Sequence, residues 1–300
     1  MARRDVVARW CTAEGAAKAG EILRRLAGGD TVLDLGWGVV DGLADLRGLP
    51  GGGLFTGGAE ITGADLSHAS LFASHLAGVH WRRCRLDGAD LSNTSLTGGS
   101  LTECTLRRAD LRDLSIDGAT WTAADLTGAK ARHLTAQRTT FTHTTFPAIT
   151  RVAFTRCSFD DCRFIGALND VEFLGRAHDG DPAPAVLRKV TFSRGFRYAA
   201  FDSMEFDGVT FPGGDALIVV PYGFRAVADL AGTLSLHRTD GVGKAFRRFL
   251  SGETVQRPGL TATAGWAIAR RDLGDDELAA FAAGTLARAE AQLRDEGVIP

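Results

Sequence analysis

The residues of this 300-residue chain whose types could do chemistry are few and scattered. It holds five cysteines and seven histidines. Cys84 and Cys104 lie twenty apart, Cys157 and Cys162 five apart, and Cys11 stands alone near the start. A zinc site needs further ligands at defined spacing, and none stands nearby. These cysteines read as small buried hydrophobes, the usual role of a free cysteine. His68, His75 and His80 crowd one stretch, where imidazoles can bind a metal or move protons. Their spacing puts His75 and His80 on adjacent outward positions, so a solvated surface is expected and no metal site. His237 with Asp240, beside Tyr222, is the most plausible acid–base grouping in residues 215–300. Arg176, His178, Asp179 and Asp181 fall in a polar stretch with turn chemistry, a candidate interaction loop.

Two glycine-containing motifs suggest cofactor or phosphate loops and fall short of both. Thr31-Val32-Leu33-Asp34-Leu35-Gly36-Trp37-Gly38 is similar to the cofactor loop of methyltransferases, but Val40 stands where a third glycine belongs. No α/β domain follows it, so a strand and turn are expected there. Gly241-Val242-Gly243-Lys244 lacks the earlier glycine and the Ser or Thr after Lys of a phosphate loop. No nucleophile elbow, metalloprotease pair or complete Cys–His set is present, so neither a catalytic residue nor a cofactor is assigned.

The element that must position everything else is a repeat. Every fifth residue from Ile61 to Phe146 is apolar: Ile61, Leu66, Leu71, Leu76, Trp81, Leu86 and onward, with Ala131 and Ala136 the small exceptions. Two positions before each sits a second, mostly small series: Ala64, Ala69, Ser74, Val79, Cys84, Ala89. Where the central residue shrinks to Ala136, its inward neighbour grows to Leu134, which conserves core volume. A period of five fits neither a helix at 3.6 nor a strand at 2. It argues for stacked units that cannot bury their apolar side alone.

Runs such as Ala64-Asp65-Leu66-Ser67, Ala89-Asp90-Leu91-Ser92 and Ala124-Asp125-Leu126-Thr127 resemble the repeating unit of the pentapeptide repeat family. The resemblance implies a mainly β fold: a right-handed, four-sided β-solenoid with one pentapeptide per side and twenty residues per coil. Large and small series would both point inward, and Leu86 would lie over Leu106. The expected organisation is an N-terminal cap over 1–53, a solenoid over 54–214 and a small α+β module over 215–300. A small bulge is expected at Pro147, and the pattern is lost over about 166–188. Glu14–Leu26 has helical composition, as does Val242–Leu250 with Phe246 and Leu250 inward. In the last helix Leu278, Phe281, Leu286 and Leu293 recur at helical spacing, as a cap or dimer face.

Net charge is −2, so bulk charge draws the chain to neither nucleic acid nor acidic membrane. No run approaches the roughly 20 apolar residues of a membrane span, and a cytoplasmic location is expected. Thirty arginines against four lysines point to a GC-rich bacterial genome. The resemblance implies a non-catalytic interaction protein, with a type II topoisomerase such as DNA gyrase as partner, in antibiotic resistance or self-immunity. Such partners are held to be met by DNA mimicry, which needs one sign of charge along the rod. Here the outward columns mix signs: Asp65, Arg85, Thr105, Asp125 and Ser70, Asp90, Asp110, Lys130. The alternative is a small-molecule protein or natural-product tailoring enzyme, with its site where solenoid and C-terminal module meet.

Overall fold

In the computed structural model, residues 3–28, 37–175, 185–202, 204–212, 217–256 and 265–300 are described. Their centre is a stack of parallel coils. Four sets of inward residues define four faces. The first carries Leu66, Leu86, Leu106 and Leu126, and the second Leu71, Leu91, Leu111 and Ala131. The third carries Leu76, Leu96, Ile116 and Ala136, and the fourth Trp81, Leu101, Trp121 and Phe141. On the third face Leu76 pairs with Leu96, and Ile116 with both Leu96 and Ala136. On the fourth, Trp81 pairs with Leu101, and Trp121 with Leu101 and Phe141. The first and second faces are joined by parallel bridges such as Asp65–Arg85 and Ser70–Asp90. These pairings are parallel at an offset of twenty residues, so backbone groups of one coil are satisfied by its neighbours. Leu86 and Leu106 are both fully buried.

Corners are turned two residues past each central position by backbone in the left-handed region. φ is +61° at His68, +53° at Ala73, +52° at Arg83 and +54° at Asn93. Non-glycine residues adopt this region uncommonly; here the ladders on either side of the corner impose it. Gly99, at an inward slot with φ +71°, is a true glycine requirement, because a Cβ would sit 2.2 Å from the Val79 carbonyl oxygen.

The small inward slot also does polar work. The Thr94 hydroxyl donates to the Leu71 carbonyl (2.7 Å), and the Ser74 hydroxyl to that of Gly51 (3.2 Å). The Cys84 thiol donates to Ile61 (3.2 Å), Cys104 to Trp81 (3.5 Å) and Cys162 to Phe141 (3.4 Å). A buried carbonyl on the preceding coil is thereby given a partner it would be costly to lack.

Beyond Phe141 the core turns aromatic. Rings on successive coils stack: Phe141 on Phe159 (5.0 Å), Phe154 on Phe173 (5.2 Å) and Phe173 on Phe201 (4.9 Å). Rings within a coil meet edge to face, as Phe154 with Phe159 at 86°. Coil spacing sets the first geometry and the ring quadrupole favours both.

Three expectations need correction. The irregularity at Pro147 is a shortening: Ala131 pairs with Ile149 and Ala136 with Phe154, so this coil is two residues shorter. The pattern is not lost from Gly166, because Leu168–Leu174 pairs with Ile149–Thr155 on one side and Phe196–Asp202 on the other. Ala185–Arg188 is likewise a ladder strand. The ladder also starts before Leu54: Ala44–Asp45 pairs with Ala64–Asp65, and Leu46 and Leu49 fill inward slots. The Pro50–Gly53 run hides this coil from a reading that counts only large residues.

Each end is covered differently. At the N-terminus, helices α1 (Arg3–Ala8) and α2 (Ala13–Ala27) lie over the first coils, with Ile22 and Leu26 buried. The Thr12 hydroxyl caps α2 at the Gly15 amide. Asp45 anchors the cap: its carboxylate accepts two hydrogen bonds from Arg9 (2.7 Å each) and two from Arg47 (2.9 Å each). At the other end, Gly265–Ala269 pairs antiparallel with Phe196–Asp202, and Leu217–Val220 pairs antiparallel with Gly265–Ala269. Leu217 and Val219 pack on the solenoid core, Ile218 and Val220 on a second core. That second core lies among α3 (Phe224–Leu234), α4 (Gly241–Gln256) and α5 (Asp276–Asp295). The sequence pattern gave no sign of α3, whose Phe224 stacks on Trp266 at 4.6 Å.

Phe173 is fully buried between the rings of Phe154 and Phe201. Phe173→Ala should lose about 3–5 kcal/mol in denaturant unfolding. Burial pushes the Asp45 carboxyl up, but hydrogen bonds from Arg9 and Arg47 outweigh it and hold it well below the usual range. Its stabilisation is therefore complete above the ordinary carboxylate value of about 3.9 and is lost as pH falls towards the lower folded value. Acid titration of the melting temperature should show this loss, and Asp45→Asn should lack it.

Candidate functional site

The three residues of the expected acid–base group have different surroundings. His237 is exposed, whereas Tyr222 packs against the C-terminal core. The Asp240 carboxylate accepts from the Gly243 amide (2.9 Å) and pairs with Arg238 (3.1 Å). The Gly243 amide and then Arg238 hold that carboxyl below its ordinary value. Asp240 thus caps α4, and Gly241–Lys244 is the first turn of that helix.

The α5 stripe is spent inside its own module. Leu278, Leu286 and Leu293 are buried in the C-terminal core. Phe281 meets Phe246 edge to face at 5.4 Å, and the Arg238 guanidinium lies 4.7 Å from its ring centroid. Arg176, His178, Asp179 and Asp181 lie outside the described residues, as does the Thr31–Gly36 part of the glycine motif.

The three clustered histidines have separate surroundings. The His75 ring stacks on Phe55 at 4.7 Å, His80 Nδ1 lies 3.0 Å from the Ser100 hydroxyl, and His68 lies beside Gly88. Among the described residues no group of three or more His, Cys, Asp or Glu is placed to hold a metal. Burial pushes the Cys157 and Cys162 thiols up to about 12. Cys104 also rises, through the hydrogen bond with Cys84 and then burial. None of these is poised as a nucleophile.

A cleft of about 340 Å³ opens between α3 and α4, lined by Ala228, Asp229, Gly232, Arg247, Leu250 and Ser251. None of the expected site residues lines it. The Arg247 guanidinium is committed to the Ser235 and Arg238 carbonyls at 2.8 and 3.2 Å.

What the solenoid presents outward differs by face. The first and second faces carry interleaved charge. Arg85 pairs with Asp41 (3.0 Å) and covers Asp65 (3.1 Å), which is buried and not outward as its column predicts, and Arg107 pairs with Asp125 (2.6 Å). Asp110 pairs with Arg112 (2.8 Å) and Lys130 (3.6 Å). The Arg112 hydrogen bond holds the Asp110 carboxyl below its ordinary value. Burial pushes Asp125 up, but Thr127 and Arg107 outweigh it. Acid and base cancel locally, so no single-sign field runs along the rod. The middle coils of the third and fourth faces carry hydroxyls, Ser95, Ser115 and Thr135 in one column, Ser100, Thr120 and Thr140 in another, and Thr102, Thr122 and Thr142 in a third, with Asp117 and Arg138 an ion pair on the third face.

Compared with known proteins, residues 64–102 and 104–142 match the family model for pentapeptide repeats, in eight copies. No curated protein matches. Solved structures do. A trypsin-treated form of QnrB1, described as a plasmid-mediated fluoroquinolone resistance protein, is 17% identical with a TM-score of 0.26. That match covers 52% of this chain and 91% of the other. HetL, a pentapeptide repeat protein of the cyanobacterium Nostoc sp. involved in heterocyst differentiation regulation, is 18% identical with a TM-score of 0.26. It covers 64% of this chain and 91% of its own. A pentapeptide repeat protein of the Arabidopsis thaliana thylakoid lumen is 28% identical with a TM-score of 0.24, over 33% of this chain and 63% of the other.

The thiols give a direct check on the geometry. Cys11 is exposed and the other four cysteines are buried. A thiol-reactive dye should label Cys11 at once and Cys84, Cys104, Cys157 and Cys162 only when the coils unfold. Fast labelling that survives in a Cys11→Ser variant would contradict the inward slots.

Proposed function

The chain belongs to the pentapeptide repeat family, and from that premise we propose that it is a non-catalytic interaction protein whose binding surfaces are the charged first and second faces. The observation that carries this reading is the ladder of cross-coil ion pairs, Asp65–Arg85, Arg107–Asp125 and Asp110–Lys130. Their backbone is fixed by the coils, so little ordering accompanies binding. Charges held in alternation complement a protein surface that alternates in the opposite sense. They do not imitate a duplex, whose field has one sign throughout.

DNA gyrase is the partner to test, because the family resemblance suggests it and QnrB1 is named for fluoroquinolone resistance. On this reading added protein preserves gyrase supercoiling against a fluoroquinolone. A variant combining Arg85→Ser, Arg107→Ser and Arg112→Ser preserves it less, because the alternation is broken. If that variant protects better, uncovered acids are mimicking DNA and the mixed-charge reading fails. If neither protein alters inhibition, gyrase is not the partner.

A further inference from the structure

The fourth face has a regularity that the interaction reading does not use. Ser100 and Thr102, Thr120 and Thr122, and Thr140 and Thr142 form three successive rows in register. Within these rows the side chains between them point inward as Leu101, Trp121 and Phe141, so the outward surface holds hydroxyls and methyls only. Rows recur at the strand spacing of about 4.8 Å, and the two hydroxyl columns stand about 6.6 Å apart along the strand. Charge appears just outside the rows, at Arg82 on one side and Asp160 on the other.

Two features make this array stiff and unobstructed. Threonine is restricted about χ1, and its backbone here is fixed by parallel pairing on both sides. The edge shared with the third face is a column of glycines, Gly58, Gly78, Gly98 and Gly118, with φ of +90°, +62°, +67° and +64°. The backbone does not demand glycine there, because Arg83, Asn93 and Glu103 hold the same conformation at other corners. Nor does packing, since a Cβ at Gly58 or Gly118 would meet nothing within 4 Å. The glycines leave that margin bare beside the first two rows, while beside the third the same corner is Arg138, drawn into an ion pair with Asp117 on the third face.

A hydroxyl is both donor and acceptor, and a flat lattice of them bonds water at a fixed two-dimensional repeat while the methyls fill the spaces between. Neither aromatic ring nor carboxylate stands within the rows to select a sugar or a cation. We propose that the fourth face binds ice, with the six side chains of these rows as the contact lattice.

The test is partition into slowly growing ice from a solution that also holds an inert protein of similar size. The full chain should be enriched in the ice relative to that protein, and should slow recrystallisation of a polycrystalline film. Thr120→Lys and, separately, Thr122→Lys should reduce enrichment to the inert level, with folding checked by circular dichroism. Ser95→Lys on the third face should leave it unchanged. The proposal is overturned if the unmodified chain is not enriched, if both fourth-face variants remain enriched, or if the chain is retained by insoluble cellulose or chitin instead of ice.

Discussion

The coil-to-coil backbone ladder is the constraint from which the rest follows. Parallel pairing at a repeat of twenty leaves room for one large and one small side chain per side. That requirement explains the apolar series, the small series and the αL corners together. It also explains the compensation at Leu134 beside Ala136, where only a void of about 10 Å³ remains. Among ordinary globular proteins a core is filled by many elements crossing. Here each coil sees only its neighbours, so every coil must be satisfied by the coils directly before and after it.

The two ends of the stack solve the same problem with different chemistry. The first coil is met by two helices tied down through one carboxylate and two guanidiniums, Asp45 with Arg9 and Arg47. The last is met by two antiparallel strands that prolong the third face and carry a helical core of their own. The strand Leu217–Val220 belongs to both cores by simple alternation of its side chains. α5 turns its apolar stripe into that core, where Leu278, Leu286 and Leu293 are buried.

Most of the solenoid was legible because its signal is a period, and a period survives substitution at single sites. Legibility ended where residues were deleted or where the central residue was small. Ile149, Leu168 and Phe196 begin the same spacing, reaching Phe154, Phe173 and Phe201 five residues on, with Val152, Val171 and Ala199 between. Within each strand the count of five holds; it is broken by the shorter strides from Phe146 to Ile149 and from Phe164 to Leu168. The acid–base reading of His237, Asp240 and Tyr222 gave Asp240 no part in the backbone. Asp240 is instead consumed by a helix start, a role its position just before Gly241 could have signalled. The division of the rod into charged and hydroxylated faces needed the four columns to be assigned, which composition alone cannot do.

Several inward hydroxyls and thiols donate to the coil wound before them, Ser74 to Gly51, Thr94 to Leu71, Cys104 to Trp81 and Cys162 to Phe141, while Thr139 and Cys157 donate within their own coil to Gln137 and Thr155. A coil therefore completes its predecessor as it closes, and waits for its successor to complete it in turn. Growth from the amino end leaves only one unfinished surface at any moment, the newest. That order is the order in which a ribosome delivers the chain, so the polarity of these bonds makes winding during synthesis the natural course.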